Sequence, residues 1–73
     1  MENTEIVFHF PEHMTESEMA GLITGIAAYG NVAPGSRDRS YVVSVFRASK
    51  FPKLKELLDH NERYGFLRWH AAA

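Results

Sequence analysis

The sequence predicts an α+β domain in which helical and extended segments alternate along one short chain. The strongest signal is Ser40–Arg47, which is rich in β-branched and aromatic residues and contains no glycine or proline, as is typical of a strand in the middle of a sheet. One amphipathic helical segment precedes this strand and another follows it. The chain of 73 residues has room for one domain, 1–73, and we expect residues 71–73 to form a frayed tail.

Three shorter extended segments complete the predicted sheet. Glu5–Phe10 alternates between apolar and polar residues, and Pro11 ends it because proline has no N–H to donate to a neighbouring strand. Phe66–His70 alternates in the same way. Asn31–Ala33 is a weaker candidate, followed by the turn dipeptide Pro34-Gly35. If Asn31–Ala33 is only a loop, a three-stranded βαβαβ sheet is the alternative.

The first helix is predicted to begin at a capping box formed by Thr15 and Glu18. We expect Gly30 to end it in the left-handed conformation. Gly21 and Gly25 stand four residues apart, a spacing that favours close packing on the sheet or on a second copy. The apolar stripe of this helix repeats at helical spacing and consists of Met19, Leu22, Ile23, Ile26 and Ala27.

The second helix is predicted to begin near Ser49, which is a plausible cap, with Pro52 tolerated in the first turn. Gly65 is expected to end this helix in the left-handed conformation. Its inner face is predicted to consist of Phe51, Leu54, Leu57, Leu58 and Tyr64.

In chain order these elements form βαββαβ, the ferredoxin-like arrangement of an antiparallel sheet with two helices on one face. Right-handed crossovers place both helices on the same side of the sheet. The usual strand order places the first and third strands in the middle, and these are the most apolar strands of this chain.

Alternation along the strands then assigns residues to the two faces of the sheet. The face under the helices is predicted to receive Ile6, Phe8, Phe10, Tyr41, Val43, Val45, Leu67 and Trp69. The opposite face receives Val7, His9, Val42, Ser44, Phe46, Phe66, Arg68 and His70. A fully solvated face would normally carry Thr, Lys and Glu at its apolar positions, so we expect this face to meet a partner. The alternative is a slip of one residue, which would exchange the two faces.

The composition limits how such a small domain is stabilised. A chain of this length buries only about 60% of the surface that its unfolded form exposes. It has no cysteine for disulfides or thiolate metal ligands. Small domains without disulfides or metals are often stabilised by association, so we predict a protein partner or a homodimer. Without cysteine, a basic-then-apolar leader or a long apolar run, the chain is predicted to be cytoplasmic and to make no membrane contact.

No motif predicts catalysis, so we expect a protein that is not an enzyme and that uses no cofactor. The serines lack a G-x-S-x-G context, and the segment from Gly30 to Gly35 contains no phosphate-binding motif. His9 and His70, if they lie on neighbouring strands, supply only half of the ligands that a metal site needs. No catalytic or metal-binding residue is therefore predicted.

One stretch resembles a known nucleic-acid-binding element. Arg39–Phe46 is similar to the RNP1 element of RRM domains, K/R-G-F/Y-G/A-F-V-x-F/Y, at Arg39, Tyr41 and Phe46. It departs from that pattern elsewhere, and Val43 stands where a base-stacking ring is expected. The resemblance implies a nucleic-acid-binding module. Residues 31–73 hold all eight lysines and arginines, which favours this alternative, whereas the five glutamates of residues 1–30 and the net charge of −1 oppose it.

A second stretch, Leu22–Val32, is similar to the first helix and second strand of ACT-type regulatory domains. Those domains usually carry an acidic residue and a glycine at the entry to that helix, where this chain has Met14-Thr15-Glu16. The resemblance implies a small-ligand regulatory domain with a metabolite held between subunits.

The function that these observations favour is a small non-catalytic protein-interaction module, which docks its open sheet face or edge on a protein or on itself. By analogy with other ferredoxin-like chains of this length, it is predicted to be a phage- or plasmid-type modulator or inhibitor. Aromatic and arginine side chains often dominate interface energetics. The predicted partner-binding residues are Phe46, Phe66, Arg68, His70, Arg37 and Arg39.

Overall fold

The computed structural model describes residues 5–71. Four strands and two helices follow one another in the order βαββαβ, with a short 3-10 turn at Ala48–Lys50 before the second helix. The predicted frayed tail included Ala71, which is instead the last residue of the final strand. Residues 72 and 73 of that tail lie outside the described residues. The elements are β1 (Glu5–His9), α1 (Glu16–Ile26), β2 (Gly30–Pro34), β3 (Ser40–Val45), α2 (Phe51–Arg63) and β4 (Arg68–Ala71).

The four strands form one antiparallel sheet in the order β2-β3-β1-β4. Strands β1 and β3 are central, and β2 and β4 are the edges. The predicted α+β class is therefore confirmed as a four-stranded antiparallel sheet with two helices. Because Gly30–Pro34 pairs with β3 along its whole length, the three-stranded alternative is wrong.

The buried residues form a single core that both helices share with one face of the sheet. Ile6 pairs with Val43 and Phe8 with Tyr41, so these side chains point to the same side, as predicted. Trp69 of the edge strand β4 pairs with Phe8 and therefore points to the same side. The alternative, a slip of one residue that exchanges the two faces, is wrong. The core consists of Ile6, Phe8, Phe10, Met14, Met19, Ile26, Val43, Leu54, Leu58 and Leu67.

The capping box at the start of α1 is confirmed. The Glu18 amide donates to Thr15 Oγ1 at 3.2 Å, and the Thr15 amide donates to Glu18 Oε1 at 2.9 Å. The hydrogen bond from the Thr15 amide, assisted by the one from its hydroxyl, holds the pKa of Glu18 below its usual value. A carboxylate in the first turn is also stabilised by the helix dipole.

We expect Glu18→Gln to destabilise the protein slightly at neutral pH, because the amide can accept a hydrogen bond but carries no charge. The folded-state pKa of Glu18 is depressed, so its stabilising effect is fully present above the unfolded value near 4.5 and is lost as the pH falls through the folded value. The difference in melting temperature between variant and wild type should therefore shrink in acid. Glu16→Gln, in the same helical turn, is the matched control. A difference that grows in acid would contradict the capping role of the charge.

Two helix boundaries differ from prediction. Helix α1 ends at Ile26, and Gly30, expected to be its left-handed cap, is instead the first residue of β2. Helix α2 has Lys50 at its N-terminal cap position with no side-chain hydrogen bond, and Ser49 lies within the preceding 3-10 turn. Gly65 does have a positive φ of 77° just after α2, so its predicted role is confirmed.

Two predicted packing contacts of the helices are wrong. Tyr64 does not line the inner face of α2, because it stands at the C-terminal cap position and is 61% exposed. Gly21 and Gly25 do not pack closely on the sheet, since a Cβ at either position would meet nothing within 4 Å. The alternative, packing on a second copy, stays a prediction. Both glycines lie on the exposed side of α1.

Candidate functional site

The candidate site is the sheet face turned away from the helices, which we call the open face. Strand pairing arranges its side chains in three rows that cross the sheet. The acidic row contains Glu5, Ser44 and Asn31. The apolar row contains Val7, Val42 and Ala33, with His70 at its β4 end. The basic row contains His9, Arg68 and Ser40.

The apolar row runs through the centre of the open face. Val7 pairs with Val42 across the two central strands, and Val42 pairs with Ala33 of β2. Val7 and Val42 are half-buried and Ala33 is exposed. Within residues 5–71 the buried helical side chains belong to the core on the other side of the sheet.

The acidic row marks one end of the open face. Ser44 Oγ donates to the Glu5 carboxylate at 3.2 Å, which holds that carboxylate on this face. Among residues 5–71 the ion pair lies on α2, between Lys55 and Asp59, and does not include Glu5. Glu5 therefore gives this end of the open face its negative charge.

The basic row lies at the other end, where the β2–β3 hairpin rises beside it. His9 pairs with Arg68, and His70 is the diagonal neighbour of His9 on the same face. Together with Val7 and Arg37 of the hairpin, the two histidines line an open groove. Of the six predicted partner-binding residues, Arg37, Arg39 and His70 line this groove, and Arg68 adjoins it through His9.

Arg39 contributes to the groove but is also part of the internal structure. It adopts a left-handed φ of 63° in the hairpin, and its Nη1 donates to the carbonyl of Met14 at 2.8 Å and to that of Pro11 at 3.2 Å. These bonds tie the hairpin to the β1–α1 loop. Sequence reasoning missed this role because the loop carbonyls are more than twenty residues away along the chain.

The two predicted phenylalanines lie away from the groove. Phe46 is 57% exposed and follows the end of β3 that lies beside Glu5. Phe66 precedes β4, and its ring stacks on Tyr64 at 6.0 Å near the end of α2. The structure therefore divides the six residues among the groove end, the opposite end of the sheet and the α2–β4 connection.

Sequence reasoning missed four residues of the open face: Glu5, Ser40, Asn31 and Ala33. Alternation is a signal for Glu5 and for Ser40, because each is two residues from a valine of the face, Val7 and Val42. The other two depend on the register of β2 against β3. No pattern within the five residues of β2 reveals that register.

Strand β4 is fixed to α2 by a polar contact on the helix side. Trp69 Nε1 donates to Asp59 Oδ1 at 3.0 Å, and Lys55 Nζ donates to Asp59 Oδ2 at 2.9 Å. The hydrogen bonds from Lys55 and then from Trp69 hold the pKa of Asp59 below its usual value. By holding Trp69 on the helix side of β4, this contact directs its two neighbours, Arg68 and His70, to the open face.

Among residues 5–71 no group of three or more His, Asp or Glu side chains is placed to hold a metal ion. His9 and His13 stand four apart in the sequence, but Pro11 interrupts the segment and no helix forms there. Instead, His13 Nε2 lies 3.1 Å from the carbonyl oxygen of Gly65. No helix in the described part of the chain is both long and apolar enough to span a membrane.

Comparison with known proteins supports the fold and little else. No protein-family model matches the chain, and no curated protein matches it. A similar solved structure is that of a hypothetical protein from Neisseria gonorrhoeae, with a TM-score of 0.65 and 18% sequence identity. The match covers 97% of this chain and 47% of that one, so this chain spans about half the length of its structural neighbour. At this identity the likeness concerns the fold alone.

Proposed function

We propose that the chain is a small non-catalytic protein-interaction module of the ferredoxin-like kind, which docks its open face on another protein chain. The βαββαβ order and the central positions of β1 and β3 support the ferredoxin-like assignment. A cytoplasmic location and an inhibitory role remain predictions from the sequence.

The observation that carries this proposal is the apolar row at the centre of the open face. Strands β1 and β3 are the central strands, and on their solvent side a free antiparallel sheet would normally carry polar side chains. Here they place Val7 against Val42. Full burial of an exposed aliphatic side chain is worth about 1.5–3 kcal/mol. Because Val7 and Val42 are already half-buried, docking would gain only the share that belongs to their remaining exposed surface.

The rim of the open face has the chemistry of an interface. Arg37 and Arg68 are exposed there beside His9 and His70. Arginine around an apolar centre is common at protein interfaces, where the centre is desolvated and the rim stays polar.

The geometry does not favour the RRM-like alternative. Tyr41 stacks on Phe8 with ring centroids 5.7 Å apart, on the side of the sheet that faces the helices. Val43, two residues further on, belongs to the core. Base stacking on an RRM sheet requires exposed rings at such positions.

We expect Val42→Asp to abolish docking, because it places a charge in the apolar row. Val42→Thr, which keeps the β-branched shape, is the matched control and should retain most of the binding. The measurement is cross-linking and co-purification from the source cells, together with the mass of the purified chain in solution. Circular dichroism should show that both variants are folded. If Val42→Asp changes neither its bound proteins nor its mass, the open face is not the docking surface.

A further inference from the structure

We infer that the open face binds a second copy of this chain, with the two sheets stacked face to face. The two-fold axis that relates them lies between the sheets, parallel to their planes, and runs perpendicular to the strands. This inference rests on the proposed function and names the partner. What carries it is the charge pattern of the open face, which is complementary to itself when the strands of the two copies run in opposite directions.

Charge and polarity change in order along the strands. Glu5 lies at one end of β1 and His9, with its neighbour Arg68, at the other. The separation is about 13 Å, since a strand rises about 3.3 Å per residue. The apolar row lies midway between them. Within residues 5–71 neither Glu5 nor Arg68 forms a salt bridge.

A two-fold axis that lies between the sheets and runs perpendicular to the strands places the apolar row of one copy on that of the other. It places Glu5 of each copy opposite His9 of its partner, with the partner's Arg68 on the neighbouring strand. An axis parallel to the strands would instead bring the acidic row of each copy against the acidic row of the other, and the basic row against the basic row. Glu12 and Asp38 also line the groove, but both lie in loops beside the sheet, Glu12 between β1 and α1 and Asp38 between β2 and β3.

The test is a charge reversal at each end of the open face, with the dimer dissociation constant measured by sedimentation equilibrium. Glu5→Arg alone and Arg68→Glu alone each turn two attractive pairs into two repulsive ones. We expect either change to raise the dissociation constant about tenfold at low ionic strength. An equimolar mixture of the two variants should form a heterodimer with nearly wild-type affinity, because every facing pair is then of opposite charge.

Two controls separate charge from fold. Lys53→Glu reverses a charge on α2, away from the open face, and should leave the dissociation constant unchanged. Glu56→Lys reverses a charge of the other sign on the same helix and should also leave the dissociation constant unchanged. The differences in dissociation constant between the charge-reversal variants and the wild type should diminish as the ionic strength rises. The Debye length is about 30 Å at about 0.01 M and about 8 Å at about 0.15 M.

The possible results distinguish this inference from the proposed function. A wild-type dimer weakened by each single reversal and restored in the mixture supports the inference. A dimer that neither reversal weakens refutes the perpendicular axis. A chain that stays monomeric at every concentration, yet loses a different bound protein on Val42→Asp, refutes self-association and leaves the proposed function standing.

Discussion

Phe8→Ala is expected to unfold a large fraction of the protein at room temperature. Phe8 lies on the central strand β1 with no exposed surface, and its ring contacts Phe10 edge-on and Tyr41 in a stacked arrangement, each at a centroid distance of 5.7 Å. Removing a buried phenylalanine side chain costs about 3–5 kcal/mol in transfer and cavity free energy. A core of this size rarely supplies more than about 3–5 kcal/mol of net stability.

The free energy of unfolding should be measured by urea denaturation at low protein concentration, so that any dimer contributes little. Phe46→Ala is the matched control, because the same side chain is removed from a position that is 57% exposed. Its effect should be within about 0.5 kcal/mol of zero. If Phe8→Ala does not fold, Phe8→Leu should still fold with a loss of about 1–1.5 kcal/mol. Equal losses for Phe8→Ala and Phe46→Ala would show that the core is not centred on β1.

Gly30→Ala is expected to destabilise the protein by about 1–3 kcal/mol, an overpacking cost. A Cβ at Gly30 would lie 2.9 Å from Val43 Cγ2 and would overlap the carbonyl oxygen of Ser44. Both obstacles belong to β3, and the Ser44 carbonyl is backbone that cannot move independently of the strand. The methyl group therefore forces the end of β2 away from its neighbour.

Gly21→Ala should instead increase the free energy of unfolding. Gly21 lies inside α1, and a Cβ there would meet nothing within 4 Å. Alanine should stabilise that helix by about 0.5–1 kcal/mol, because glycine loses more backbone entropy on folding. Thermal and urea unfolding of the two variants would measure both effects. A neutral Gly30→Ala would contradict the close approach of β2 to β3.

Much of the candidate site could be predicted from local patterns. Strict alternation along β1 and β3 correctly placed Val7, His9 and Val42 on the side away from the helices. Alternation works here because successive side chains of a strand point to opposite faces, so a buried face determines the other. The positions of Phe46 and Phe66 relative to the groove could not be predicted, since each lies just beyond a strand end, where alternation no longer applies.

The sequence by itself determined the α+β class, the capping box at Thr15 and Glu18 and the face that each central strand buries. These features depend on residues two to four positions apart, whose relation the backbone period specifies. Only the tertiary structure decided that Gly30 must lie against β3, that Arg39 binds carbonyls of a distant loop and that Glu5 and Arg68 occupy opposite ends of one face. Those relations come from pairing between distant strands, and no local period records the partner or the register of such a pairing.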